Sequence, residues 1–469
     1  MAAIGREREV DVLVIGSGPA GQKAAIQAAK AGARVMMVEQ EAGVGGMCVF
    51  RGTIPSKTLR ETALELSRLR RHAAMAEFRL PEGTEVARLM SRLHEVIEAH
   101  VHYMGGQLER NDVERVHGRA RFVSDREVEV LTVSGARNRV RARFFFIATG
   151  SRPRCPAEIP VDHETILDSD SILSMIYLPS SLTVLGGGVI ATEYASIFAS
   201  LGVEVTMIDK LDRPLKFMDG ELVSRFLSAF ERSGGRFLGQ SSLGQVSWDG
   251  ISKVRTELGD GTVIESDKML VALGRVANIE ALELANAGLA PNARGVLAVD
   301  EHCRTAVPHI YAVGDVIGPP ALAATAMEQG RRAARHALGM PRADLPETIP
   351  IGIYAIPEMA SVGLSEEDVL RREGEPAAVG RARFEEVARG QISGIQDGLL
   401  KIVADPSGRT VMGVHIVGEG ATEIIHLGQM AILSGLEVET FVENIFNFPT
   451  LAEAYRVAAF DLLENRPRG

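Results

Sequence analysis

A thiol, a hydroxyl and an amine fall at Cys48, Thr53 and Lys57 within one glycine-led stretch, Gly43 to Arg60 (GVGGMCVFRGTIPSKTLR). Cys48 brings a redox-capable sulfur, but a thiol beside the Thr53 hydroxyl has no second sulfur with which to close a disulfide. Cys155 and Cys303 lie in other segments and do not restore that spacing. Two further stretches carry phosphate-binding chemistry. Gly16-Ser17-Gly18-Pro19-Ala20-Gly21 follows the apolar run Val10–Ile15, and Gly186-Gly187-Gly188-Val189-Ile190-Ala191 follows Leu182–Leu185. Each turn opens a helical pattern, and each helix leads to another apolar run that ends on an acid, Glu39 in the first case and Asp209 in the second. In such a unit the glycines permit a tight turn and close approach to pyrophosphate. The helix N-terminus faces the phosphates, and the acid takes a ribose hydroxyl. A glycine turn before a helix is often only a turn, but strand, helix and acid together read as a nucleotide site. Two such units imply two dinucleotides.

The elements that must hold these groups follow from periodicity. Short apolar runs predict buried strands at Val10–Ile15, Arg34–Val38, Phe144–Gly150, Leu182–Leu185, Glu204–Ile208 and Ile310–Asp315. Helices are expected from the glycine turns to Ala31 and Ala199, and an arginine-rich helical arm from Thr58 to about Glu109. His72, His94, His100 and His102 in that arm lack a cysteine or carboxylate constellation, so no metal site is expected. From Glu347 onward the glycine fingerprints stop, and strand-like runs (LLKIVAD, VMGVHIVGE) give way to two helices.

A chain of 469 residues with 46% hydrophobic content reads as an α/β protein of several domains. The formal net charge of -10 argues against nucleic acid or an anionic membrane as partner. No apolar run approaches the ~20 residues of a membrane helix. MAAIGREREV lacks the apolar core of a signal peptide, and three widely spaced cysteines fit a reducing compartment, so a cytoplasmic protein is expected.

The Gly43–Arg60 stretch resembles the redox-active segment of the pyridine nucleotide–disulfide oxidoreductases, flavoproteins of the glutathione reductase and dihydrolipoamide dehydrogenase type. There, two cysteines five positions apart form a disulfide beside the flavin; here the second is Thr53. The family's His-Pro-Thr-x-x-Glu segment, its acid–base pair, reads Phe448-Pro449-Thr450-Leu451-Ala452-Glu453. With both groups replaced, disulfide exchange is not expected. From about Glu9 to Leu463 the chain closely resembles the soluble flavin-dependent pyridine nucleotide transhydrogenases. GVGGMCVFRGTIPSK, DSDSILSM, GGGVIATEYASIF and FNFPTLAEAYRVAA carry that match.

The resemblance implies two Rossmann-like dinucleotide-binding domains plus a C-terminal α+β dimerisation domain, a glutathione reductase-like α/β fold. The implied boundaries are 1–150 with 276–346 for FAD, 151–275 for NAD(P), and 347–469 for the interface of a homodimer or higher oligomer. It implies FAD as cofactor and NAD and NADP as substrates, with hydride passing through the flavin in ping-pong fashion. Gly16, Gly18 and Gly21 would approach the FAD pyrophosphate, Glu39 the adenosine ribose, and Asp315 the ribityl chain. Pro19, Gln40, Gly45, Gly46, Cys48, Thr53, Ala120, Thr149, Gly150 and Ala323 complete the implied FAD set. Lys57 would sit near flavin N5, paired with Glu193; these two are the implied catalytic residues. Gly186, Gly188, Val189, Ile190, Glu193, Asp209, Lys210, Arg213, Gly274 and Arg275 form the implied NAD(P) set.

Asp209 favours NAD and opposes the 2′-phosphate of NADP. Lys210, Arg213 and Lys216 are close enough in sequence to offset it. Two rivals stand beside the transhydrogenase reading. One is an NAD(P)H diaphorase or quinone reductase on the same frame, and the other is a non-catalytic protein that keeps FAD as a structural core.

Overall fold

The computed structural model describes residues 7–72, 81, 84–341, 348–395 and 397–466. The chain divides into two compact units. One comprises Met1–Thr58, Met90–Arg154 and Gly274–Asp344; the other comprises Leu59–Leu89, Cys155–Leu273 and Leu345–Gly469.

In the first unit, Glu7–Ile15 lies between Val35–Glu39 and Arg137–Ile147, all parallel, and Ile310–Ala312 adds to the far side of Arg137–Ile147. Val12 to Ile15, Val35 to Val38 and Phe145 to Ile147 are buried at every position, the pattern of strands covered on both faces. Glu114–Ser124 serves two neighbours. Its start runs parallel to Val35–Glu39, and the remainder pairs antiparallel with Glu127–Thr132. Helices Pro19–Lys30 and Ala323–Ala337 pack backbone to backbone, because a Cβ at Gly330 would lie 2.1 Å from the carbonyl oxygen of Ala20. The expected strand Ile310–Asp315 is shorter than its apolar run, since Gly314–Ile317 turns into a 3-10 helix.

The second unit holds a five-stranded parallel sheet in the order Gly235–Leu238, Glu204–Ile208, Ser181–Leu185, Lys268–Val271, Ile166–Asp168. An antiparallel hairpin sheet follows (Leu243–Trp248, Val254–Leu258, Val263–Ser266). Residues 351–417 form a five-stranded antiparallel sheet, backed by helices Ala421–Leu433 and Glu453–Asn465. Tyr455 ties those two helices: its buried hydroxyl accepts the Gly428 N–H at 3.0 Å and donates to the Ile424 carbonyl at 2.8 Å. The arginine-rich arm is not one helix. Thr53–His72, Val86–Leu89 and Leu93–Glu109 are separate. The His72 side chain lies outside the described residues.

Candidate functional site

Local sterics make the first turn glycine-specific. Gly16 has φ +105°, and a Cβ there would meet the Ala148 carbonyl oxygen at 2.4 Å. A Cβ at Gly21 would lie 2.0 Å from the Gly16 carbonyl oxygen. A Cβ at Gly18 would meet no heavy atom within 4 Å, so this is the open face of the turn. Pro19 starts the helix whose unsatisfied N–H groups point to that face. Glu39 is fixed by backbone: Oε2 accepts the Ser17 N–H at 2.8 Å and Oε1 the Glu41 N–H at 2.9 Å. The fully buried Ser17 hydroxyl accepts the Gly45 N–H at 3.1 Å, which ties this turn to the cysteine-bearing stretch.

In that stretch a short helix, Gly46–Phe50, carries Cys48, and the helix starting at Thr53 carries Lys57. Burial pushes the Cys48 thiol above its usual range, opposed by a hydrogen bond with the Thr53 hydroxyl and by the Lys57 charge, while Asp315 adds to the rise. Cys48, Thr53, Lys57 and Asp315 are therefore brought together. All three cysteines are free thiols, and burial raises buried Cys303 to about 11.

Asp315 is held through Ser151, whose hydroxyl donates to Oδ2 at 2.7 Å. Arg275 grips Ser151 twice, Nε donating to its Oγ and Nη2 to its carbonyl, both at 2.8 Å. Arg275 and Gly274, assigned from sequence to the nicotinamide nucleotide, thus belong to the first unit. Thr149 Oγ1 is buried without a hydrogen-bond partner, an atom that awaits a ligand. Asn278 holds the strand exit, donating to the carbonyls of Thr149 and Gly150 at 3.0 and 2.9 Å. Gly150, at φ +68°, leaves open space where a side chain would be. Gln329 Oε1 accepts the Gly314 N–H at 2.9 Å. Ala120 is buried on its strand, Ala323 opens its helix, and the Gln40 carbonyl meets His117 Nε2 at 3.1 Å. A glycine cradle with an open face, a fixed terminal acid and an orphaned hydroxyl fit a dinucleotide such as FAD.

The second turn repeats the plan. Gly186 has φ +114°, and a Cβ would meet the Ala272 carbonyl oxygen at 2.6 Å; Gly188 is open. Val189 and Ile190 begin the helix Val189–Ser200. Asp209 Oδ1 accepts the Leu211 N–H at 2.7 Å, and its Oδ2 would lie 3.0 Å from a Cβ at Gly187. The following loop folds back on the turn, with Leu215 N–H donating to the Gly187 carbonyl at 2.8 Å. Within it, Arg213 Nη2 contacts the carbonyls of Lys216 and Met218 at 3.4 Å, and its Nε is buried without a partner. Lys216 pairs with Asp212 at 2.7 Å, and Lys210 is exposed. Glu193 is buried, its Oε1 accepting the Tyr354 N–H at 2.9 Å.

Phe448 is 75% exposed, and Glu453 Oε2 accepts the Thr450 N–H at 3.1 Å. His426 Nδ1 meets Gln429 Oε1 at 2.9 Å. Sequence reasoning assigned no role to Ser17, Ser151 or Gln329. Ser17 and Ser151 could have been noticed as small polar residues inside or beside a glycine turn; Gln329 carries no such mark.

Two family models match this chain. Residues 10–330 match the pyridine nucleotide-disulphide oxidoreductase model, and residues 349–459 match the dimerisation domain of the same group. The chain belongs to the pyridine nucleotide-disulphide oxidoreductase family. Within this family it is 44% identical over 460 residues to a protein of Mycobacterium bovis (strain BCG / Pasteur 1173P2) named soluble pyridine nucleotide transhydrogenase, with 97% of each chain covered. A protein of the same name from Chromohalobacter salexigens is 42% identical over 455 residues, covering 96% of this chain and 97% of the relative. Among solved structures, LpdA from Mycobacterium tuberculosis superposes with a TM-score of 0.88 at 26% identity, covering 96% of this chain and 99% of LpdA. The HOCl-induced flavoprotein disulfide reductase RclA from Escherichia coli gives 0.86 at 25% identity, covering 96% of this chain and 99% of RclA. The glutathione reductase-like architecture expected from the sequence is the one the chain adopts.

Proposed function

We propose that this chain transfers hydride between NAD(H) and NADP(H) through FAD; its relatives at 44 and 42% identity are named soluble pyridine nucleotide transhydrogenases. The observation that carries the reading is that the glycine turn of each unit keeps its open face, while the Cys48 thiol has the Thr53 hydroxyl and not a second sulfur for a neighbour. When bound, FAD supplies the hydride relay between a reduced and an oxidised nicotinamide, in ping-pong order. Gly16, Gly18 and Gly21 admit its pyrophosphate, Glu39 takes the adenosine ribose, and Thr149 Oγ1 and Asp315 offer polar contacts at the other end. Ser151 and Arg275 keep Asp315 oriented. Lys57 places a cation where negative charge develops on reduction, and Glu193 is the buried acid of the second unit's site. Gly186, Gly188, Val189 and Ile190 receive the nicotinamide nucleotide, and Asp209 its ribose.

This reading divides the chain into an FAD-binding part (1–150 and 276–346), a NAD(P)-binding part (151–275) and an interface part (347–469). The last matches a dimerisation-domain model, and it exposes Met430, Ile445 and Phe448. We infer a homodimer in the cytoplasm; no helix among the described residues is long and apolar enough to cross a membrane. The test is anaerobic titration of the purified FAD-bound protein with NADPH, followed by NAD. Bleaching and then recovery of the flavin spectrum, with NADH formed, is the expected result. A quinone turned over faster than thio-NAD by orders of magnitude would assign a quinone reductase instead.

A further inference from the structure

The second unit contains a two-point clamp on the helix that carries Glu193. Glu193 and Ser196 stand one turn apart on Val189–Ser200, and both accept from the bent segment that begins at Tyr354. Tyr354 N–H donates to Glu193 Oε1 at 2.9 Å, and Ile356 N–H donates to Ser196 Oγ at 3.0 Å. The Ser196 hydroxyl itself donates to the Glu193 carbonyl at 2.9 Å, so the two anchor points are linked. Between the two amides, the Ala355 carbonyl accepts Arg60 Nε at 3.4 Å. Arg60 reaches Glu358 at 3.6 Å, and Glu358 also accepts the Thr422 hydroxyl at 2.7 Å and the Gly420 N–H. Glu193, Ser196, Arg60 and Glu358 are each no more than 5% exposed.

We propose that Ser196 and the segment Tyr354–Glu358 form the positioning device for Glu193, resting on the reading that Glu193 serves the hydride-transfer site. A glutamate side chain has three torsions, and a carboxylate left to rotate offers a lysine no fixed direction. One backbone N–H commits Oε1, and the rotation that remains sets where Oε2 points. That fixing works only if the amide is itself immobile. The buried Arg60–Glu358 pair supplies this: Arg60, itself also held by Glu61 at 2.6 Å, is the cation that faces the buried Glu358 carboxylate, and removing it would strand that charge. A clamp serving the fold alone needs only the Ser196 bond; the second amide is spent on the carboxylate itself.

The test compares Ser196→Ala, Glu358→Gln, Glu193→Gln and the Ser196→Ala/Glu193→Gln double variant, each as FAD-bound protein. Three quantities are measured: hydrogen exchange at the Tyr354 and Ile356 amides, the midpoint potential of the bound flavin, and the flavin reduction rate at saturating NADPH. Ser196→Ala is expected to speed exchange at both amides and to slow reduction on the order of tenfold, with the NADPH KM within about twofold. Its midpoint potential should move in the same direction as that of Glu193→Gln, and the double variant should be no slower than Glu193→Gln alone. Should Glu358→Gln fail to fold, Ser196→Ala decides the matter by itself. If Ser196→Ala loosens the amides but leaves rate and potential at wild-type values while Glu193→Gln changes them, the positioning role is overturned. If Glu193→Gln changes neither, the assignment of Glu193 to the site falls first, and the positioning role falls with it.

Discussion

Burial lifts the Cys48 thiol above its ordinary titration range, and the Thr53 hydroxyl opposes that rise. The neutral thiol is the form favoured at neutral pH, and a neutral thiol is a weak nucleophile. Cys48→Ser should therefore keep NADPH-to-thio-NAD transfer within about threefold of wild type, since no bond to sulfur is made or broken. Thiol counting before and after anaerobic NADPH reduction should give the same number. A rise of two thiols on reduction would reinstate disulfide chemistry.

Residues whose requirement is local were legible in the sequence, and those whose requirement is remote were not. Gly16 and Gly186 are dictated by positive φ and by a carbonyl too close for a Cβ, so the pattern betrays them. Glu39 and Asp209 end their strands a fixed distance from those turns and are equally visible. Ser151 acquires its role from Arg275, 124 positions away, and Ser196 from Ile356, 160 positions away. Neither sequence neighbourhood announces the partner. Arg213 is close to Asp209 in sequence, and what the sequence does not show is that its Nη2 meets the Lys216 and Met218 carbonyls of its own loop.

Lys57 shares its surroundings with Cys48 and Asp315 at the start of its helix. A cation at that place lowers the barrier only as charge develops, so its removal should affect the chemical step more than binding. Lys57→Met is expected to slow flavin reduction by NADPH on the order of 100-fold, with the NADPH KM within a few-fold. Lys57→Arg should recover part of the rate. Stopped-flow flavin absorbance reads both, and an equal loss in KM with no change in the limiting rate would contradict the assignment.

On the proposed function Asp209 takes the ribose in the second unit; its carboxylate is fixed by the Leu211 N–H, and the exposed Lys210 is beside it in sequence. At ~4 Å and an effective dielectric near 20, repulsion of a 2′-phosphate is about 4 kcal/mol per unit charge before screening. Asp209→Asn should lower the KM for NADP(H) about tenfold and raise that for NAD(H) by a similar factor, each about 1.4 kcal/mol. Lys210→Ala should weaken NADP(H) alone, and more at low salt. Paired KM measurements for the two nucleotides at two ionic strengths distinguish these effects; equal shifts for both would place the ribose elsewhere.

Asp219 and Lys401 form a buried ion pair at 2.8 Å, and Asp219 also caps the helix Gly220–Arg232 by accepting the Glu221 and Leu222 N–H groups. For Asp219, burial works against ionisation, but the Lys401 hydrogen bond and charge prevail and hold its carboxyl below the ordinary 3.8. For Lys401, burial likewise opposes the charge, and its hydrogen bonds with Asp219 and Glu366 raise it above 10.5. A depressed carboxyl stabilises the fold fully above its unfolded value and loses that contribution as pH falls below 3.8 toward the folded value. A raised amine stabilises it fully below 10.5 and loses that contribution as pH climbs through the folded value. Lys401→Met should cost about 3 kcal/mol near neutral pH, by stranding the Asp219 charge, and should flatten the alkaline limb above 10.5 relative to wild type. Asp219→Asn should instead flatten the acid limb below 3.8, while keeping an oxygen for the helix cap. Urea unfolding across pH reads both limbs. Parallel wild-type and variant curves on either side would show that this pair is not linked to folding.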